Sequence, residues 1–196
     1  MTFHRRITRT TAIIALTAGL ASAASAQSLR GWNIHVEDYP VSIAMQSFVD
    51  EVTEKTNGEI TGKVFHNGVL GSQPDAIEQL RLGALDFGEF SLGPMGPVVP
   101  ETNVVSLPFI FASVPEMYRL MDGEVGDAIG TGMEAKGIKA LGWYAAGARS
   151  FYNSVRPINT PADVEGLKVR VMSNDLFVDM IAAMDGNATP MAFAEV

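Results

Sequence analysis

Short apolar runs of strand length alternate with runs of helical period from Leu29 to Met191. That alternation limits the fold more than any other feature of the chain. Leu29 to His35, Ile60 to Phe65, Leu85 to Phe90 and Gly166 to Met172 have the composition and length of strands. Between the first two, Ala44, Phe48 and Val52, with Met45 and Val49, form the apolar stripe of a helix that Gly58 ends. Ser72 is placed to cap a second helix, with Pro74 in its first turn and Gly83 as its stop. Ser113-Val-Pro-Glu116 is a capping-box pattern for a helix through Met121, and a looser helix runs from Glu124 to Lys136. Ile138 to Ala146 reads as a strand and Arg149 to Val155 as an extended segment. Thr160-Pro-Ala-Asp163 caps one helical turn, Asp175 to Met184 is helical, and Ala188 to Met191 begins a further strand. The Gly93 to Pro97 stretch predicts a rigid irregular loop, and Leu107-Pro-Phe-Ile-Phe111 predicts a buried segment. The class that follows is α/β with a largely parallel sheet. Ligands of such folds bind at the carboxyl ends of strands, where His35, Ser91 and Asn174 fall.

Apolar residues make up 47% of the 196 and charged residues 18%, which is a globular composition with enough apolar mass for a core. The net charge is −8, and three of the arginines lie before Ala26, so the rest is more acidic still. An acidic body argues against nucleic acid and anionic membrane surfaces as partners. Any anion site must be built by a few local arginines. With no cysteine, disulfides, thiolate chemistry and cysteine-ligated zinc are excluded.

The first 26 residues have the plan of an export signal. Arg5, Arg6 and Arg9 make a basic start, Ala12 to Ala21 is an apolar run too short to span a membrane, and Ala24-Ser25-Ala26 is a small-x-small cleavage site. The expected product is an exported protein, periplasmic in a Gram-negative cell, with no direct membrane insertion after cleavage.

Catalytic patterns are absent. Beyond the signal only His35 and His66 remain, and neither lies in a His-Glu-x-x-His pattern. Ser91 sits near the place of a nucleophile elbow, but Glu89 stands where a glycine is required. The Gly93 loop lacks the ending of a phosphate loop. No catalytic residue, metal site or cofactor is expected. A binding constellation is more coherent. Arg170 lies between Val169 and Val171, where a charge is costly without a partner. Its rigid fork of donors fits a carboxylate with two parallel bonds, although an ordinary ion-paired strand arginine reads the same way. Arg149 opens the preceding segment. Both can face a cleft whose other wall is the corner His35, Glu37 and Asp38, whose mixed imidazole and carboxylate groups suit hydroxyls.

Several motifs in order now carry a family resemblance. Val69-Leu-Gly71 with Gln73 to Phe87, Leu107-Pro-Phe109, Gly147-Ala-Arg-Ser-Phe-Tyr-Asn153 and Pro161 to Met172 resemble the extracytoplasmic solute-binding subunits of TRAP transporters. The resemblance extends from about Trp32 to Val196. It implies two α/β lobes closing on a small organic anion, with the TRAP membrane subunits as partners. It places Arg170 on the ligand carboxylate and Arg149 as a second, less uniform arginine. His35, Gln73 and Ser91 map to pocket-lining positions. Trp32 to Pro40 and Gly93 to Asn103 look like the branch that binds glucuronate and galacturonate. A uronate needs one carboxylate clamp and several hydroxyl partners, which His35, Glu37 and Gln73 can supply. A C4-dicarboxylate needs a second cationic clamp, and Glu37 would repel it, so it ranks second. A secreted enzyme acting on sugar acids is the reading from another class. Members of the family run longer than this chain. The expected layout is therefore a signal over 1–26, a nearly complete first lobe over 27–146, and a hinge-crossing segment with an incomplete second lobe over 147–196.

Overall fold

The computed structural model describes residues 26–196, so the export-signal reading of residues 1–26 falls almost wholly outside the described residues. Ten regular elements follow in the order β1 (Gln27–Trp32), α1 (Pro40–Lys55), β2 (Ile60–Phe65), α2 (Gln73–Arg81), β3 (Phe87–Gly88), α3 (Val114–Met121), α4 (Glu124–Glu134), β4 (Lys168–Val171), α5 (Asp175–Ala182) and β5 (Asn187–Pro190). Every strand pairing among the described residues is parallel. One sheet has the order β2-β1-β3, with Trp32 opposite Phe65 and Gly88. The other pairs β4 with β5. Parallel neighbours need a crossover, and α1, α2 and α5 provide it.

The first sheet is covered on both faces. Met45 and Val49 of α1 pack on Val64 and Phe87. Trp32 and Leu85 meet Ala76 of α2 on the other side, with Trp32 stacked on Phe90 at 5.2 Å. At Gly31 a Cβ would overlap the tip of the Phe87 ring, so glycine lets that ring lie against β1. Beyond α2 a larger core joins Ile77, Met95, Val99, Met121, Ile129, Met133 and Ile138. The second sheet has its own small core of Val171, Phe177 and Ile181.

The caps stand where the residues placed them. Ser72 and Asp75 form a reciprocal box at α2, Ser113 accepts from the Glu116 amide at α3, and Thr160 with Asp163 closes a single 3-10 turn. Gly83 and Gly137 take positive φ just past their helices. Three expectations are corrected. The third strand is only two residues long, because it pairs with β1 over Gly31 and Trp32 alone. Residues 138–146 form no strand: the Ala145 amide donates to Tyr118 Oη, and no neighbouring strand receives the segment. Leu107 to Ile110 is exposed, with Phe109 wholly so at a positive φ; Pro108 restricts its neighbour and the chain turns outward there. The Gly93 loop is irregular as expected, with 3-10 turns at Gly93–Met95 and Pro100–Ser106.

Candidate functional site

The carboxyl ends of β1 and β3 build one wall. Asn33 is fully buried and organises the corner: its Nδ2 donates to Ser42 Oγ at 2.8 Å, and its Oδ1 accepts from the His35 amide at 3.2 Å. That bends the chain so that the His35 ring stacks on Tyr39 at 4.1 Å. The Glu89 amide donates to the Trp32 carbonyl at 3.1 Å, which carries the Glu89 side chain alongside. His35 Nε2 stands 3.9 Å from Glu89 Oε2, too far for a hydrogen bond. Glu89 Oε2 is buried with no partner among the described residues. Burial raises the pKa of Glu89 and lowers that of His35, because low dielectric disfavours either charge.

Gln73 is buried and both ends of its amide are spent on Ser91. Its Nε2 donates to the Ser91 carbonyl at 2.6 Å, and the Ser91 amide donates to its Oε1 at 3.2 Å. Gln73 therefore fixes the backbone at the end of β3. Ser91 itself is half-buried.

The opposite wall comes from β4, β5 and the segment before them. Arg170 is half-buried, and its Nε and Nη2 donate to the Met191 carbonyl at 3.1 and 2.8 Å. One backbone oxygen thus holds the guanidinium in place and leaves its Nη1–Nη2 edge with free donors. Arg149 lies nearby. Its surface is open to solvent, yet protein crowding and then the like charge of Arg170 lower its pKa. Neither arginine has a carboxylate partner; the ion pairs among the described residues are Lys55–Glu51, Arg81–Glu78 and Lys139–Glu134, with the looser His35–Glu89 approach. Two residues past Met191, Phe193 presents its ring to His35 in an edge contact at 5.9 Å. The two walls meet there.

Asn174 is also spent on structure. Its Oδ1 caps α5 by accepting from the Leu176 amide at 3.0 Å, while its Nδ2 donates to the Gly93 carbonyl and Asn103 Oδ1, both at 2.7 Å. It clamps the β4 unit to the Gly93 loop. Glu37 is exposed and pairs with neither arginine, and it lines a surface depression with Ser42, Gln46, Lys63 and His66. The structure therefore brings His35 to the meeting of the walls and Arg149 to Arg170, and gives Gln73 and Asn174 bonds that hold the frame. Glu89 was not among the expected site residues. Its signal was an acid between Gly88 and Phe90 at a strand end, where a solvated side chain is out of place. Among the described residues no group of three His, Cys, Asp or Glu side chains is placed to hold a metal ion, and no helix is long and apolar enough to cross a membrane.

Known proteins share this architecture. Residues 33–196 match the family described as bacterial extracellular solute-binding protein, family 7. A TRAP periplasmic solute-binding protein from Sulfitobacter sp. NAS-14.1, solved with bound β-D-galacturonate, is 76% identical; the match covers 86% of this chain and 56% of that one, with a TM-score of 0.85. Its counterpart from Roseobacter denitrificans, solved with β-D-glucuronate, is 63% identical over the same shares, with a TM-score of 0.84. A solute-binding protein of Chromohalobacter salexigens is 58% identical over 181 residues, 92% of this chain and 54% of the relative. The chain thus spans about half the length of the relatives it matches. With the parallel strand pairings, the capped helices and the family match in hand, this chain belongs to family 7 of the bacterial extracellular solute-binding proteins, the substrate-binding components of TRAP transporters.

Proposed function

We propose that this chain contributes to the capture of a hexuronate, glucuronate or galacturonate, in the periplasm for delivery to TRAP membrane subunits, and that it catalyses no reaction. The observation that carries the reading is the pair Arg149 and Arg170, close enough for their like charges to interact and without a carboxylate partner among the described residues. Two like charges held together raise the local free energy, and an entering carboxylate lowers it. The free edge of Arg170 suits two parallel bonds to that carboxylate. Similar proteins solved with galacturonate and glucuronate support the choice of a sugar acid. His35 and Ser91 stand where sugar hydroxyls would reach them. Gln73 and Asn174 serve the pocket through the backbone they hold. Glu37, exposed and paired with neither arginine, keeps at most a role at the rim. Residues 27–146 and 147–196 are the two parts that would face each other across the ligand. Calorimetry on the full-length protein tests the reading: glucuronate or galacturonate should bind saturably and emerge chemically unchanged. Stronger binding of succinate or malate would put the dicarboxylate reading in its place, and turnover would put an enzyme there.

A further inference from the structure

Three buried side-chain atoms lack a hydrogen-bond partner among the described residues, Trp32 Nε1, His66 Nδ1 and Glu89 Oε2, and of these only Glu89 carries a carboxylate. Glu89 Oε2 is buried and unpartnered, and its side chain is only 15% exposed. The nearest titratable base, His35 Nε2, stops at 3.9 Å, beyond hydrogen-bond reach. A carboxylate oxygen in that condition costs stability, and proteins rarely keep one without a use. Its position suggests the use. It lies at the carboxyl end of β3, on the wall opposite the arginines. The thread between the walls is short: Met191 holds Arg170, and Phe193 contacts His35, which faces Glu89.

We propose that Glu89, with His35, is a selectivity gate that reads the end of the ligand remote from its carboxylate, accepting a hydroxyl and rejecting a second carboxylate. This rests on the sugar-acid reading above. A sugar hydroxyl donates to Glu89 Oε2 and supplies the bond that the buried oxygen lacks. His35 accepts from or donates to an adjacent hydroxyl, since a neutral imidazole can do either. A ligand with carboxylates at both ends meets the arginines at one and Glu89 at the other. In a desolvated wall two facing carboxylates repel strongly, so that ligand is excluded by an unfavourable contact as well as by a missing favourable one. Glu89 thus separates hexuronates from their doubly acidic relatives, where the arginines alone would welcome both.

Glucuronate and glucarate are the probes: they differ in oxidation at C1, a ring hemiacetal against a carboxylate on an open chain, so the reading is the change in preference on mutation or pH and not the preference itself. Calorimetry on the full-length protein should give wild type a clear preference for glucuronate. Glu89→Gln keeps the shape and an acceptor but removes the charge, so the preference should fall by about tenfold or more, chiefly through tighter glucarate binding. Wild type provides a second reading without a mutation. Lowering the pH from about 8 to about 5 protonates part of Glu89, whose pKa burial raises, and that eases the second carboxylate while glucarate and both arginines stay charged; burial lowers the pKa of His35 and so delays the charging of the imidazole that faces it. The preference should therefore shrink with falling pH in wild type and shrink less in Glu89→Gln, where His35 alone is left to titrate. A wild type that binds glucuronate with a preference that neither the mutation nor pH moves overturns the gate and leaves the sugar-acid reading standing. A wild type that binds neither sugar acid overturns both.

Discussion

Residue Arg170 shows how a side chain is prepared before a ligand arrives. The Met191 carbonyl takes two of its donors and fixes the plane of the guanidinium. Lysine would keep the charge but lose both that anchor and the paired donors. Arg170→Lys should weaken sugar-acid binding by about 2–4 kcal/mol, the range for a buried charge pair that loses a partner. Calorimetry at fixed salt checks it, and unchanged affinity would reduce Arg170 to an ordinary strand residue. Glu89 carries a stability consequence of its own. Its folded pKa is raised by burial, so its contribution to stability is present below the unfolded value, about 4.3, and is lost as pH rises through the folded value. Glu89→Gln should therefore raise the melting temperature of the unliganded protein at neutral pH, and the gain should fade below about pH 4. A variant less stable than wild type at neutral pH would mean that Glu89 has a partner the free protein needs. Arg170 was legible in the sequence because a charge between valines demands a reason. The structural duty of Gln73 was not, because Gln-Pro at a helix start says nothing about a backbone eighteen residues away.

Helices and their caps were the elements most open to reading, because a cap is local. Ser72 finds Asp75 and Ser113 finds Glu116 within one turn, whatever the rest of the chain does. Strands were less open, since a strand exists only through its neighbour. Ile138 to Ala146 has the composition of one and no partner. The link between α5 and the Gly93 loop was hidden for the same reason: Asn174 and Asn103 meet across 71 residues. Its consequences can be measured. Asn174→Asp keeps the α5 cap but turns a donor into an acceptor facing the Gly93 carbonyl and Asn103 Oδ1. It should destabilise by about 1–3 kcal/mol despite the capping ability of aspartate, because one buried and one half-buried acceptor lose their donor. Gly96→Ala should reach a similar loss from the other side, as a Cβ there overlaps Asn103 Oδ1 and Asn174 Nδ2. Denaturant unfolding of both variants checks this, and additive losses in the double variant would show that they do not act on one clamp.

At the scale of the whole molecule, two cores are joined by a long extended stretch. The first sheet and α1 to α4 bury Trp32, Ile77, Leu85, Val99 and Ile129 almost completely, while β4, β5 and α5 gather around Ile181. Between them residues 141–157 lie mostly exposed, with Leu141, Tyr144 and Tyr152 open to solvent and Phe151 nearly half so. The stretch is tied near its start by the Ala145 bond to Tyr118 and near its end by Arg156, which donates to the Asp163 and Glu165 carbonyls. Only Phe151 and Tyr152 combine an aromatic chymotrypsin site with a backbone free of both ties. Cleavage needs local opening, and opening costs least where few buried contacts resist it. Within this stretch chymotrypsin should therefore cut first at Phe151 or Tyr152, while Trp32 and Phe177 resist. If residues 147–196 belong to a lobe that faces 27–146, full-length protein should protect those same bonds, and a saturating sugar acid should protect them further, because ligand that binds only the native arrangement lowers the open population. Mass spectrometry of the early fragments reads the order of cuts. First cleavage inside α1 or α4 would mean that the division between the two cores is misplaced, and equal cleavage of the long and short chains at Tyr152 would mean that this stretch is a surface loop and not the crossing between lobes.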